Sequence, residues 1–320
     1  MDNKKETRHN KMGTNKDKKI NNSTALIILA GALWGTMGLF VRGLASNNLT
    51  SLEIVFFRSA AAALLLFVWM LIFDRSNLRI KIKDIWCFIG TGIISLTTFN
   101  ICYFTTIQKT SMAVAAILLY TSPIFVMLLS AVLFKERLTV VKLIALVVAF
   151  GGCALVSGVI SNEGLVMEPL GILIGIGAGV GYALYSIFSR YAIERGYSST
   201  TISLYTFLFS SMGMLVASPW LTPIGDTAKK IASGNTLQVI LLIIGIAIVA
   251  TILPYLLYTK GLSGVENGKA GIMASVEPVV AAILGIVVYK ESLSVSTVSG
   301  IVCVIVAIVM LNTDFNNDKR

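Results

Sequence analysis

Ten apolar runs alternate with short polar breaks, at about 24–45, 51–73, 85–107, 112–134, 139–158, 170–192, 200–220, 236–259, 268–289 and 294–311. A helix needs roughly 20 apolar residues to cross the hydrocarbon core, so the pattern predicts ten transmembrane helices. The break at 159–169 divides them five and five. The expected organisation is a basic, disordered cytoplasmic tail at 1–23, five helices within 24–158 and a linker at 159–169 outside the cell. Five more helices within 170–311 and a cytoplasmic tail at 312–320 complete it. The fold class is an all-α polytopic membrane protein.

Composition supports the lipid environment: 56% of residues are hydrophobic, only 13% are charged, and mean hydropathy is +0.83. A soluble domain carries about 25% charged residues. The first run is too long for a secretory signal, and nine more follow it. Most of the 26 Lys and Arg fall on the side of the breaks that the N-terminal tail shares. The positive-inside bias therefore places both termini in the cytoplasm. The net charge of +10 is read as this orientation signal. No nucleic-acid recognition motif accompanies it.

The two halves repeat each other. Pro123 and Pro278 stand 155 residues apart, as do Lys135-Glu136 and Lys290-Glu291, Leu138 and Leu293, and Tyr103 and Tyr258. Because each half holds five helices, the copies run in opposite directions, an inverted repeat that permits alternating access around one midplane site.

Several chemistries are excluded. The single histidine, His9, lies in the tail, and the four cysteines form no CxxC pattern, so no metal site or cofactor is expected. Gly264–Lys269 suggests a phosphate loop, but Ser263 and Ala270 stand where glycine and Ser/Thr belong.

The polar residues within the runs are few. Glu277 precedes Pro278 near the middle of the ninth run. A carboxylate there costs on the order of 2.5–3.5 kcal/mol on insertion scales. It reads either as a cavity-facing group, carrying a proton or meeting a cationic amino group, or as an acceptor that fixes a kink. Pro123, Pro254 and Pro278 free the carbonyls of Leu119, Ala250 and Ala274 and are candidate kinks or gates. Arg58 reads as structural, paired with Glu53 or snorkelling outward, with anion binding as the other reading. Trp34, Tyr120, Tyr182 and Tyr185 lie at mid-depth, away from the interfaces where aromatics usually anchor. Asn100 and Tyr103 share one helix face, and Tyr255 and Tyr258 another. Together with Glu277 these residues could line a substrate vestibule, or simply bond helix to helix. Glycines at 31/35, 171/175/179 and 177/181 predict close helix packing within the monomer, with dimerisation as a second use. The pattern sets no oligomeric state.

Ala32-Leu33-Trp34-Gly35, Thr121-Ser122-Pro123 with Phe134-Lys135-Glu136-Arg137-Leu138, and Glu277-Pro278-Val279 with Lys290-Glu291-Ser292-Leu293 together resemble the EamA type of the drug/metabolite transporter superfamily. The likeness covers residues 24–311. It implies ten helices as an inverted five-plus-five repeat in a prokaryotic plasma membrane. It also implies export of small solutes, commonly amino acids, related metabolites or drugs, with protons as a partner in some members. The expected function is a secondary transporter whose partners are a small-molecule substrate, the lipid bilayer and protons. The alternatives are an uncoupled facilitator or channel-like uniporter and, third, an intramembrane enzyme, for which the runs supply no His, no Asp and only one central carboxylate.

Overall fold

The computed structural model describes residues 21–158, 168–217, 236–290 and 294–317. Residues 1–20 of the expected tail, 159–167 of the linker, 218–220 of the seventh run, the repeat residues Glu291–Leu293 and 318–320 of the C-terminal tail lie outside them. Among the described residues all regular structure is helical. In chain order the apolar helices are α1 (Asn21–Ala45), α2 (Ser51–Phe73), α3 (Ile82–Lys109), α4 (Met112–Phe134), α5 (Val140–Val156), α6 (Pro169–Glu194), α7 (Ser199–Val216), α8 (Thr236–Leu262), α9 (Asn267–Tyr289) and α10 (Val295–Leu311). Eight are long and apolar enough to cross a membrane; α5 and α10 are shorter. The apolar part of α10 continues as helix to Asn317, within the expected tail. Likewise α1 is already helical at Asn21, and Ser23 is buried.

The starts and stops have local causes. Thr50 and Glu53 form a capping box at the start of α2, and Ser111 and Thr139 cap α4 and α5 through backbone amides three residues on. The α4 and α9 ends are alike: Lys135 and Lys290 both adopt left-handed backbone at φ 55°, ψ 33°. Their N–H groups return to Ser130 and Gly285, again 155 residues apart.

Five helices are irregular at mid-length: α1 turns at Thr36, whose N–H and hydroxyl both donate to the Leu33 carbonyl, at 3.1 and 2.7 Å. α4 breaks at Tyr120–Thr121, before Pro123, and α9 at Ala274–Ser275, before Pro278. The Ala274 carbonyl, expected to be free, instead accepts from the Glu277 N–H at 3.1 Å. The tight turn recovers the bond that proline removes. α3 and α8 each contain a π-helical stretch, Gly90–Thr97 and Ile248–Ile252. Thr97 Oγ1 donates to the Gly92 carbonyl at 3.0 Å and Thr251 Oγ1 to that of Ile246 at 2.9 Å, both five residues back. The kink expected from Pro254 therefore takes the form of a widened turn just before it. Such turns are frequent at functional sites.

Two ends of the bundle can be told apart by contact. At one end, the α4–α5 turn meets the α8–α9 turn. Glu136 accepts hydrogen bonds from the backbone N–H of Asn267 (2.8 Å) and Gly268 (3.1 Å), completing the start of α9. Lys142 pairs with Glu266 at 2.6 Å, and Arg190 donates to the Leu262 carbonyl at 2.5 Å. The segment that suggested a phosphate loop thus cradles an anion, but that anion is the chain's own carboxylate. At the other end lies the α1–α2 turn, where Lys109 pairs with Glu168 across the α3–α6 contact at 2.9 Å.

Glycines set the closest approaches. Those of α6 lie against α3 and α4: a Cβ on Gly175 or Gly179 would meet Leu118, Thr106 or Thr121 within 3.0 Å. On α1, a Cβ at Gly35 would lie 2.7 Å from the Glu277 carbonyl oxygen and from Val280, whereas one at Gly38 would meet nothing within 4 Å. Gly35→Ala is therefore expected to push α1 off the α9 break and cost about 1–3 kcal/mol. Gly38→Ala should be neutral. Thermal unfolding of the two variants in detergent checks this, and equal midpoints would contradict the packing described.

Candidate functional site

The α4 and α9 breaks lie beside space within the bundle that side chains do not fill. A cavity there holds about 80 Å³ for the centres of water molecules. One water needs roughly 10–15 Å³ on that measure, so several waters or a small solute fit. Its walls include Trp34, Asn100, Tyr103, Tyr182, Tyr255 and Glu277, together with Arg58. It extends past Met37, Val41 and Phe104 to Ser51 and Ile54 at the start of α2, toward the α1–α2 end. A second, smaller void between the α4 and α9 breaks is lined by Tyr120, Pro123, Gly271, Tyr182 and Glu277. A third is lined by Trp34, Tyr182, Tyr185, Tyr255 and Tyr258. Tyr182 borders all three. Beyond them, toward the other end, Ile27, Leu262, Asn267, Ile272 and Met273 are fully buried.

All nine side chains expected to line a vestibule border these voids, but their polar atoms differ in availability. Tyr185 and Tyr258 are committed. The Tyr185 hydroxyl bonds Thr259 Oγ1 at 2.7 Å, and that of Tyr258 bonds Ser186 Oγ at 2.8 Å, a reciprocal tie between α6 and α8. Trp34 is held edge-on against Tyr255, with centroids 5.2 Å apart, and lies 5.3 Å from the Tyr258 ring. These rings form a stiff floor. Tyr103, Tyr120, Tyr182 and Glu277 are only half-buried, so each keeps surface toward the voids. Glu277 borders the first void with Arg58 and Tyr182, and the second with Tyr120 and Tyr182. Pro278 and Pro254 line none of the three voids. They shape the helices that do.

The reading of Arg58 as snorkelling or Glu53-paired is corrected. Arg58 is 4% exposed, with one terminal nitrogen donating to Asn100 Oδ1 at 3.2 Å and the other to Met37 Sδ at 3.1 Å. Glu53 uses its Oε2 on its own helix, accepting from Thr50 N–H at 2.7 Å and the Thr50 hydroxyl at 2.9 Å. The sequence carried the signal. Glu53 lies five residues before Arg58, off the i, i+3 and i, i+4 positions that share a helix face. An arginine well inside an apolar run costs on the order of 2.5–3.5 kcal/mol on insertion scales and ordinarily faces a bundle interior or water-filled cavity. The apolar wall of Met37, Val41, Ile54, Phe99 and Phe104 carried no such mark, since nothing in an apolar run distinguishes a cavity-facing Phe from a lipid-facing one.

A bundle of membrane-spanning helices, broken at mid-depth around a cavity with a carboxylate and a guanidinium in its wall, has the architecture of a membrane transporter. The chain belongs to the EamA-like transporter family, whose model matches residues 22–158 and again 169–313. Its relatives include the uncharacterized transporter YwfM of Bacillus subtilis (strain 168), 27% identical over 89% of this chain and 92% of that protein. An uncharacterized transporter of Archaeoglobus fulgidus is 28% identical over 86% of this chain and 91% of its own length. A solved crystal structure superposes with a TM-score of 0.78 at 16% identity, covering 94% of this chain and 99% of that one. That likeness is one of fold.

If the cavity is wetted from the α1–α2 end, cysteines placed at Val41 and Ser51 should react with a charged thiol reagent. One at Ile272, which is fully buried, should not, when all are tested in a background lacking the four native cysteines. Labelling rates on purified protein, differing by about tenfold or more, are the expected outcome. Equal rates would remove the water-filled cavity.

Proposed function

We propose that this protein is a secondary transporter that exports small metabolites bearing an amino group, amino acids or related compounds, by alternating access around the central cavity. The observation that carries this reading is Glu277. It is a half-buried carboxylate at the break of α9, bordering a cavity that extends toward one end of the bundle and is backed by buried residues and charge-assisted bonds at the other. In lipid, a carboxylate in that position is retained where it meets a proton or a cationic ligand.

The arrangement of helices in this proposal is a five-plus-five inverted repeat with both termini in the cytoplasm of a multi-pass plasma-membrane protein. The matching left-handed ends at Lys135 and Lys290 support it, as do the paired breaks before Pro123 and Pro278 and the paired π-helical turns in α3 and α8. With that sidedness the α1–α2 end is external, and the conformation described is outward-facing. Inward opening then requires parting Glu136 from the start of α9 and Lys142 from Glu266. Substrate would lie against Trp34, Tyr103, Tyr182 and Tyr255, its amino group or a proton at Glu277, with Asn100 and Tyr120 beside it and the Tyr185–Tyr258 pair as floor.

The test is flux of radiolabelled amino acids through proteoliposomes with and without a pH gradient. Saturable flux that an opposing proton gradient accelerates is expected, with Glu277→Gln abolishing the acceleration and lowering flux by about tenfold or more. Saturable flux indifferent to the gradient would identify a facilitator. Flux that never saturates, or a Glu277→Gln variant matching the wild type, would overturn the proposal.

A further inference from the structure

We propose that Arg58 determines substrate specificity: its guanidinium, held by Asn100, is the subsite for a carboxylate on the transported solute. This deepens the transport reading above and rests on it.

The donor inventory leads there. A guanidinium has five N–H donors and no acceptor. In Arg58 one terminal nitrogen bonds Asn100 Oδ1 and the other bonds Met37 Sδ, a weak acceptor, while Nε has no partner. Asn100 is itself fixed, its Nδ2 donating to the Leu96 carbonyl at 2.6 Å, so its oxygen is turned toward Arg58. The guanidinium is thus held between α1 and α3 with some of its N–H donors unused. Among the described residues no ion pair within 4.0 Å neutralises it. Glu277 lines the same cavity but is separate, acting on Arg58 only through space. A desolvated arginine with unused donors, on the wall of a void large enough for a small solute, is matched by a planar oxyanion that takes two of them at once.

The cavity walls narrow the class. With the carboxylate at Arg58 and an amino group at Glu277, the remainder of the solute meets Trp34, Val41, Ile54 and Phe104, which suit an apolar side chain. A role limited to tying α2 to α3 through Asn100 would leave the preference among ligands unchanged. That is what separates the two roles.

The experiment measures equilibrium binding of L-leucine, L-leucinamide and 3-methylbutylamine to the purified full-length protein in nanodiscs by calorimetry. Wild type is expected to bind L-leucine about tenfold or more tightly than either probe lacking the carboxylate, the discrimination that one charge-assisted hydrogen bond supplies. Arg58→Gln should reduce the preference to about twofold or less while amine binding persists. Arg58→Lys, which keeps the charge and loses the fork, should leave an intermediate preference, and it serves if the glutamine variant does not fold. The proposal is overturned if wild type shows no preference for the carboxylate, or if both variants retain it in full. Failure of the transport reading would appear separately, as absent saturable flux in liposomes with this binding preference intact. Saturable flux of L-leucine and L-leucinamide alike, unaltered in Arg58→Gln, would sink the subsite alone.

Discussion

The backbone's need for hydrogen-bond partners in a medium without water governs this structure. Within lipid every N–H and C=O must be met inside the protein or by a water-filled space, and this chain interrupts five of its helices at mid-length. The interruptions are repaired in three ways. Ala274 gives its carbonyl to Glu277 N–H in a tight turn, Thr121 Oγ1 donates to the Leu118 carbonyl at 2.6 Å, and Thr97 and Thr251 bond across widened turns. Glu277 and Arg58 both border the void that lies among these helices.

The same constraint explains why the two halves need each other. The start of α9 would present amides with no partner in the interior, and Glu136 from the first half supplies it. Glu266, at the end of that turn, is matched by Lys142, which is itself buried and also donates to the Arg137 carbonyl at 2.6 Å. Apolar side chains pack equally well against lipid or protein, so helix association in a membrane leans on close backbone approach and on polar bonds such as these. The glycines of α1 and α6 provide the approach.

Much of this was legible in the residue pattern. The positions of the helices follow from apolar runs, and the breaks follow from prolines 155 residues apart. Trp34, Tyr182 and Glu277 stood out because aromatics and a carboxylate at mid-depth have no other ready use. What escaped was geometry that several sequences could encode. A threonine in an apolar run gives no notice of a π-helical turn, and Pro254 alone suggested a simple kink. Arg58 was visible but misassigned, because Glu53 is its nearest acidic residue along the chain while Asn100, 42 residues away, is its partner in space. Likewise Tyr185 and Tyr258 were recognisable as polar aromatics, yet only the folded arrangement reveals that each already holds the other's helix.

The carboxylate seated on the first amides of α9 belongs to the polypeptide, and no solute takes part in that contact. Under the proposed alternating access, that contact would favour the conformation described before any solute binds. A cargo would then reverse that preference only by fitting the other conformation better, and by no more than that difference in fit.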